Sequence, residues 1–150
     1  MKLLKQLLQP KLKYMLLHEN AYKPERGTNK SSGLDVFTPF DITIKANTDV
    51  VIPLGLRVKI PFGYDLTVNN KSGIATKKKL IKGAELIDND YRGDIKIHLY
   101  NFSSQDVKFQ RGEKIAQLVM RPVWIGKLKQ EKYIPENTQR GSGGFGSTGK

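Results

Sequence analysis

The chain has 150 residues, enough for one domain with a core of its own. It contains no cysteine, which excludes disulfides, thiolate zinc sites and a cysteine nucleophile. Its formal charge of +12, from 26 basic and 14 acidic residues, points to an anionic partner, either a polyphosphate or a nucleic acid. The basic residues are dispersed, with Lys77-Lys78-Lys79 the one run of three, so the excess reads as solvated surface and nucleic acid as an unlikely partner. His18 and His98 match no metal spacing, and no apolar run approaches the length of a membrane span.

Met1 to Gln9 places Leu3, Leu4, Leu7 and Leu8 at helical spacing among lysines, and Pro10 closes the pattern. Lys5 and Gln6 interrupt the apolar stretch and no small-residue cleavage site follows, so residues 1–10 read as a short amphipathic helical arm rather than a signal peptide. From Leu12 the signals become β. Tyr14 to Leu17 suits a first strand, and a polar connection runs to Ser32. Val50 to Ile52 and Gly55 to Ile60 flank Pro53, and Pro61-Phe62-Gly63 marks a turn. Tyr64, Leu66 and Val68 then alternate with Asp65, Thr67 and Asn69. Val107 and Phe109 lead to a turn at Arg111-Gly112, and Ile115 to Met120 is again strand-like. Short, regularly punctuated strands predict an all-β antiparallel sandwich, jelly roll or barrel over residues 11–139, with no helix beyond the arm. Residues 140–150 are glycine-rich and predict a tail that orders only when something binds it.

Between Gly83 and Asp94, Leu86 and Ile87 drop into Asp88-Asn89-Asp90, and alternation resumes at Ile95, Ile97 and Leu99. The pattern reads as two strand edges joined by an acidic turn. A carboxylate directly after two apolar residues, with the ring of Tyr91 three places on, suits a base beside a planar ligand; a plain hairpin with a solvated turn fits equally well. Three further segments combine chemistry-bearing residues. Asp35, within Ser32-Gly33-Leu34-Asp35-Val36, is an acid inside an apolar strand start and needs a cation or donors. Lys71-Ser72-Gly73-Ile74-Ala75 offers a cation, a hydroxyl and flexible backbone suited to phosphate. Gln117, within Gly112 to Leu118, is an amide that must find hydrogen bonds in an apolar strand. Gly144 to Lys150 fits G-x-x-x-x-G-K, but a phosphate-binding loop needs a following Ser or Thr and a helix, and the match fails at Lys150. A calcium loop over Asp88 to Leu99 fails for want of a Glu at its last position, and no G-x-S-x-G elbow exists.

In this order, Ser32 to Val36, Lys71 to Ala75, Gly83 to Gly93, Arg111 to Leu118 and Arg140 to Gly149 resemble the five motifs of the trimeric dUTPase family. The resemblance implies a jelly-roll subunit in a homotrimer with active sites shared between subunits. It also implies intracellular hydrolysis of dUTP to dUMP and pyrophosphate (cytoplasm or nucleus, of a cell or of virus-encoded origin), with Mg²⁺ on the triphosphate. It assigns Asp88 as the base that activates water, and Tyr91 as the ring against the deoxyribose. The backbone around Glu85, Leu86 and Ile87 and at Lys96 would read uracil in a blind hairpin pocket. Lys71, Ser72, Gly73 and Gln117 would hold phosphate oxygens. Arg140 would clamp the γ-phosphate, while Phe145, followed by Gly146, stacks over the uracil. Asp35 would act on the metal through water or orient its neighbours. Two departures stand out: Lys71 where the family usually has Arg, and Glu85 where it commonly has Gly, with Lys96 a milder case. A non-catalytic binding protein on the same fold and the related dCTP deaminase branch are the alternatives.

Overall fold

The computed structural model of the chain describes residues 10–144. The expected arm over Met1 to Gln9, and Phe145 and Gly146 of the tail, lie outside the described residues.

Among the described residues, twelve strands and one short helix occur in the order β1 (Lys13–Leu16), β2 (Glu25–Arg26), β3 (Leu34–Phe37), β4 (Ile42–Ile44), β5 (Asp49–Pro53), β6 (Leu56–Lys59), β7 (Tyr64–Asn69), α1 (Ser72–Lys77), β8 (Leu80–Lys82), β9 (Leu86–Ile87), β10 (Lys96–Asn101), β11 (Val107–Phe109) and β12 (Lys114–Pro122). They pair as β1-β6, β5-β10-β8, β11-β4 and a five-stranded sheet ordered β2-β3-β12-β7-β9, all antiparallel. The all-β antiparallel expectation is borne out. Among the described residues the pairings do not close a barrel.

The period of two in the sequence becomes the two faces of each strand. In β6, Leu56 and Val58 are buried while Arg57 and Lys59 face out; in β10, Ile97 and Leu99 are buried. Leu118, at the middle of β12, stands between Leu34 on β3 and Val68 on β7, and Leu118 and Val68 belong to the buried core. Burying each such side chain stabilises the fold by roughly 1.5–3 kcal/mol. The turns expected at Pro61-Phe62-Gly63 and Arg111-Gly112 form where glycine takes left-handed backbone, with φ of 81° at Gly63 and 84° at Gly112.

Two expectations fail. The Lys71 to Ala75 segment leads into α1 rather than lying in a simple turn, closed by Ala75 N–H donating to Lys71 O at 2.9 Å and Lys78 N–H to Ile74 O at 3.0 Å. A six-residue helix that buries only Ile74 has no periodicity for a sequence reading to detect. Further, β9 and β10 do not form a hairpin with each other. Leu86 and Ile87 register with Thr67 and Leu66 of β7, whereas β10 lies between β5 and β8, so the Asp88 turn crosses from one sheet to another.

Asn101, buried at the end of β10, donates to the carbonyls of Ile44, Lys45 and Gln105 and accepts from Ser103 N–H and Oγ. One amide thus ties the β4 end to the β10–β11 turn. After α1 the chain reverses through Lys79, whose φ of 56° puts a residue with a Cβ in the left-handed conformation that favours glycine. Lys79→Gly should relieve that strain and stabilise the protein by about 0.5–1 kcal/mol. The check is a rise in the midpoint of chemical denaturation at fixed protein concentration.

Candidate active site

The crossing segment builds a cavity. Leu86, Ile87, Asp88, Tyr91, Ile95 and Lys96 enclose about 190 Å³. That is below the roughly 300–1,000 Å³ of pockets that engulf a drug-sized ligand, and suits one planar ring rather than a whole nucleotide. Its depth is set by Ile87 and Ile95, both buried, and its rim by Asp88, which is exposed. The Asp88 carboxylate takes no hydrogen bond or ion pair among the described residues, so it is available to a water.

The turn that carries Asp88 is fastened from outside. The Asn89 side-chain amide donates to Pro61 O at 2.8 Å and Tyr64 O at 2.9 Å, locking the turn to the β6–β7 connection. Tyr91 N–H donates to Asp88 O at 3.1 Å and the Tyr91 hydroxyl to Asp94 O at 2.9 Å. Asp94 in turn accepts from Leu56 N–H at 2.9 Å, which anchors the ring's support to β6. A Cβ at Gly93 would lie 2.3 Å from the Tyr91 hydroxyl, so glycine there leaves the ring its place. Glu85 and Lys96 both avoid left-handed backbone, so neither departure from glycine strains the chain. The Glu85 side chain turns outward to an ion pair with Lys82, and its carbonyl accepts from Val68 N–H at 2.8 Å.

A second group of functional side chains gathers on the largest sheet. Asp35 on β3 and Gln117 on β12 are paired in register, and Gln117 also faces Asn69 on β7. Asp35, only 6% exposed, is met by Lys71 Nζ at 2.5 Å on one oxygen and Lys114 Nζ at 2.9 Å on the other. Burial pushes its carboxyl up, but the hydrogen bonds and charges of Lys71 and Lys114 outweigh that and hold it below its ordinary value. Asp35 in return raises the Lys114 ammonium through its hydrogen bond and charge. Gln117 Nε2 donates to Asn70 O at 2.9 Å, fixing the chain just ahead of Lys71, and a Cβ at Gly33 would fall 2.3 Å from Gln117 Oε1. Ser72 and Gly73 lie exposed in the first turn of α1. No cluster of three acidic or histidine groups able to hold a metal exists among the described residues, and both Asp35 oxygens are already engaged by ammonium groups.

The structure therefore sorts the expected site residues into two groups and leaves one apart. Leu86, Ile87, Asp88, Tyr91 and Lys96 line the cavity, with Glu85 just before it; Asp35, Lys71, Ser72, Gly73 and Gln117 form the cationic group. Across the sheet, β3 and β9 are three strand spacings apart, about 14 Å. Arg140 belongs to neither: it is exposed, well beyond β12, with Nε donating to Gly143 O at 3.1 Å. Three supporting residues escaped sequence reasoning. Lys114 carried a signal in its charge and its place three residues before Gln117; Asn89 and Asp94 act through partners distant in sequence, which no local pattern displays.

The dUTPase family model matches residues 19–149. The deoxyuridine 5'-triphosphate nucleotidohydrolase of Helicobacter pylori is 38% identical over 141 residues, covering 93% of this chain and 97% of its own. This chain belongs to the dUTPase family. Among solved structures, the dUTPase of Staphylococcus bacteriophage 80alpha with dUpNHpp is similar with a TM-score of 0.87 at 28% identity, covering 93% of this chain and 99% of that one. A mutant dUTPase from phage phi11 of S. aureus, described with a structural Mg(II) ion, has a TM-score of 0.77 at 27% identity and covers 82% of this chain and 97% of that one. Lys71 meets Asp35 with a single ammonium, where a guanidinium would offer two parallel N–H groups.

Two outcomes follow from this geometry. Because the folded Asp35 carboxyl ionises below its ordinary value of 3.8, its ion pairs stabilise the fold above that value, and the contribution is lost as pH falls through the lower folded one. Asp35→Asn should therefore destabilise most at neutral pH, with the gap from wild type closing below pH ~4; denaturation curves at stepped pH and constant protein concentration check this. Asn89→Ala should loosen the Asp88 turn by removing the donor to the Pro61 and Tyr64 carbonyls, and accelerate amide hydrogen exchange at Tyr91 while leaving β12 unaffected.

Proposed function

We propose that the chain hydrolyses dUTP to dUMP and pyrophosphate. The observation that carries this reading is the ring-sized cavity with the uncommitted Asp88 carboxylate at its rim and the Tyr91 ring fixed beside it. Uracil enters between β9 and the start of β10, where the backbone from Glu85 to Ile87 and at Lys96 reads its edge. Tyr91 packs on the deoxyribose and leaves no space for a 2′-hydroxyl. The triphosphate runs out to Lys71, Ser72, Gly73 and Gln117, and to Arg140 with Phe145 and Gly146 of the tail. Asp88 orients a water and takes its proton as the oxygen attacks the α-phosphorus; the bond from that phosphorus to the bridging oxygen breaks, and pyrophosphate leaves.

Mg²⁺ fits this site as a companion of the substrate. The residues present supply no all-protein cage, and Mg²⁺ is commonly held by substrate phosphates and water with one or two carboxylates. Bound there, it would neutralise phosphate charge as that charge redistributes. Asp35 would reach it only through water, because both carboxylate oxygens face ammonium groups.

The working unit is a homotrimer with shared sites. In one chain the cavity lies at β9, whereas Gln117 and Asp35 stand two and three strands away across the sheet, and a site completed by residues of a second copy would bring such groups to one dUTP. The segment after β12 supports the same reading. It leaves the body after Val123 N–H donates to Gly63 O at 2.9 Å, and then exposes Trp124, Ile125, Leu128, Tyr133 and Ile134, with Leu128 at 91%. Such an apolar arm calls for another copy to cover it, and it ends at Arg140. No helix among the described residues is long and apolar enough to cross a membrane, and a nucleoside triphosphate substrate puts the enzyme inside a cell, in cytoplasm or nucleus.

The test is pyrophosphate release from dUTP, dCTP, dTTP and UTP with Mg²⁺, by wild type and by Asp88→Asn. Release confined to dUTP, falling by about 10²–10⁴ in kcat in the variant with KM within a few fold, is the expected outcome. An equally active Asp88→Asn would remove Asp88 as the base. Silence toward all four nucleotides would favour a binding role on the same fold.

A further inference from the structure

His98 stands on β10 two residues after Lys96, and the two share a face because side chains alternate along a strand. Lys96 lines the cavity, whereas His98 takes no part in the proposed reaction. The imidazole is largely covered, with 21% of the side chain exposed, and both ring nitrogens are engaged. Nδ1 lies 3.3 Å from the backbone nitrogen of Ala84, and Nε2 lies 2.9 Å from Asp49 Oδ2 on β5. A backbone N–H can only donate, so Nδ1 accepts and the ring proton sits on Nε2, directed at Asp49. These contacts select the neutral imidazole in one tautomer. The ring has its place because residue 83 is glycine: a Cβ there would fall 2.3 Å from Nδ1 and 2.8 Å from the Tyr100 ring.

Ala84 belongs to the bridge from β8 to β9, Gly83 to Glu85, and both residues of β9 line the cavity. The bridge is fastened at each residue. Gly83 N–H donates to His98 O at 2.8 Å, Ala84 N–H donates to the His98 ring, and Glu85 O accepts from Val68 N–H at 2.8 Å. Two of these three backbone groups are therefore held by His98. An imidazole is the side chain that ordinarily changes charge between about pH 5 and 8. Protonation would put an N–H on Nδ1 facing the Ala84 N–H, donor against donor, and that hydrogen bond would be lost. The strand register shows what else bears on the ring. On its face of the sheet β5 presents Asp49, Val51 and Pro53, β8 presents Ile81, and β10 itself presents Lys96 and Tyr100. Glu85 on the bridge is paired with Lys82, which registers with Leu99 and so lies on the opposite face. Asp49 is the one carboxylate hydrogen-bonded to the ring; it favours the charged imidazole, while the Ala84 N–H favours the neutral one. We propose that His98 is a positioning residue for the pocket: its neutral imidazole holds the Ala84 N–H, and with it the backbone of β9 that reads uracil. The inference rests on the dUTP reading of the cavity and adds a proton-dependent brace to it.

The test compares the full chain with three variants from about pH 8 down to about pH 5.5. His98→Asn keeps an acceptor oxygen near the Nδ1 position and has no proton to gain. His98→Leu has no acceptor, and Asp49→Asn keeps an acceptor for the Nε2 proton without the charge. The wild-type KM for dUTP should rise by about 2–10-fold relative to that of His98→Asn as pH falls, the effect of losing one hydrogen bond. At the upper pH the two should agree. Titration of the dUTP phosphates is common to all four proteins and cancels in the comparison. His98→Leu should show the raised KM already at the upper pH, with kcat within about twofold of wild type. Asp49→Asn should move the rise to lower pH by roughly 0.2–0.7 units, the effect of an exposed ion pair, and leave the upper plateau unchanged. In parallel, the Ala84 amide proton followed by NMR without nucleotide should titrate with the His98 ring in wild type and stay constant in His98→Asn. A KM ratio that is constant with pH, or an Ala84 resonance indifferent to the ring's titration, would overturn the proposal. Absence of turnover in every protein, with an Ala84 resonance that follows His98, would instead overturn dUTP hydrolysis while the brace stands.

Discussion

A carboxylate inside a sheet has to be met by positive charge, and Asp35 is met twice. Its two oxygens hold Lys71, which follows β7, and Lys114, at the start of β12, so one side chain on β3 gathers three consecutive neighbours of the sheet. Removing both ammonium groups would leave a buried carboxylate unpaired, which is the expensive half of burying an ion pair. The same rule operates on the other end of β7, where buried Asp65 receives Nε of Arg121 at 3.3 Å and a second guanidinium nitrogen at 3.1 Å. The two pairs pin β12 to its neighbours at both ends, and the apolar seam around Leu118 lies between them. Without phosphate, the Lys71 ammonium is kept in place by Asp35 rather than ranging through solvent, which lowers the ordering required when an anion arrives.

The acidic turn shows a different form of constraint. Nothing within Asp88 to Asp94 is long enough to fold by itself, and β9 contributes only two residues. Its shape is imposed by groups reached across the fold: the Asn89 amide on the β6–β7 turn, the Asp94 carboxylate on Leu56, and the Tyr91 hydroxyl on the backbone of Asp94. A base works only if its oxygen is held within a fraction of an ångström of the water it activates. Of the side chains that provide this precision, Asn89 and Asp94 do not touch the substrate in the proposed reaction, while Tyr91 serves both ends.

That division explains what could be read from the sequence. Strands with one buried face declare themselves through alternation, as at Leu56 to Ile60. A buried acid such as Asp35 declares its need for a cation, and the need is met. The order of five segments carries the family. What remained hidden is what depends on distant pairing. Leu86 and Ile87 look the same whether they pair with β10 or with β7, and only the register with Thr67 and Leu66 decides it. Helix α1 has one buried residue and hence no period, and Asn89 is an ordinary turn residue until the carbonyls of Pro61 and Tyr64 arrive beside it.

Charge remains to be placed. The cations near the proposed triphosphate path are few and partly committed: Lys71 and Lys114 to Asp35, with Arg140 at the end of the arm. Much of the positive excess is elsewhere, and it is not evenly solvated. Lys45 is paired with Asp106 and Lys82 with Glu85, so across those parts of the surface acid and base alternate. On the β1–β6 ribbon they do not. There the pairing register itself forces Lys13 against Lys59, and shifting it by one residue to separate them would turn Leu56 and Val58 out of the core. The hydrophobic pattern therefore outweighs the electrostatic one in setting the ribbon, and leaves a concentrated positive surface that the fold cannot neutralise from within.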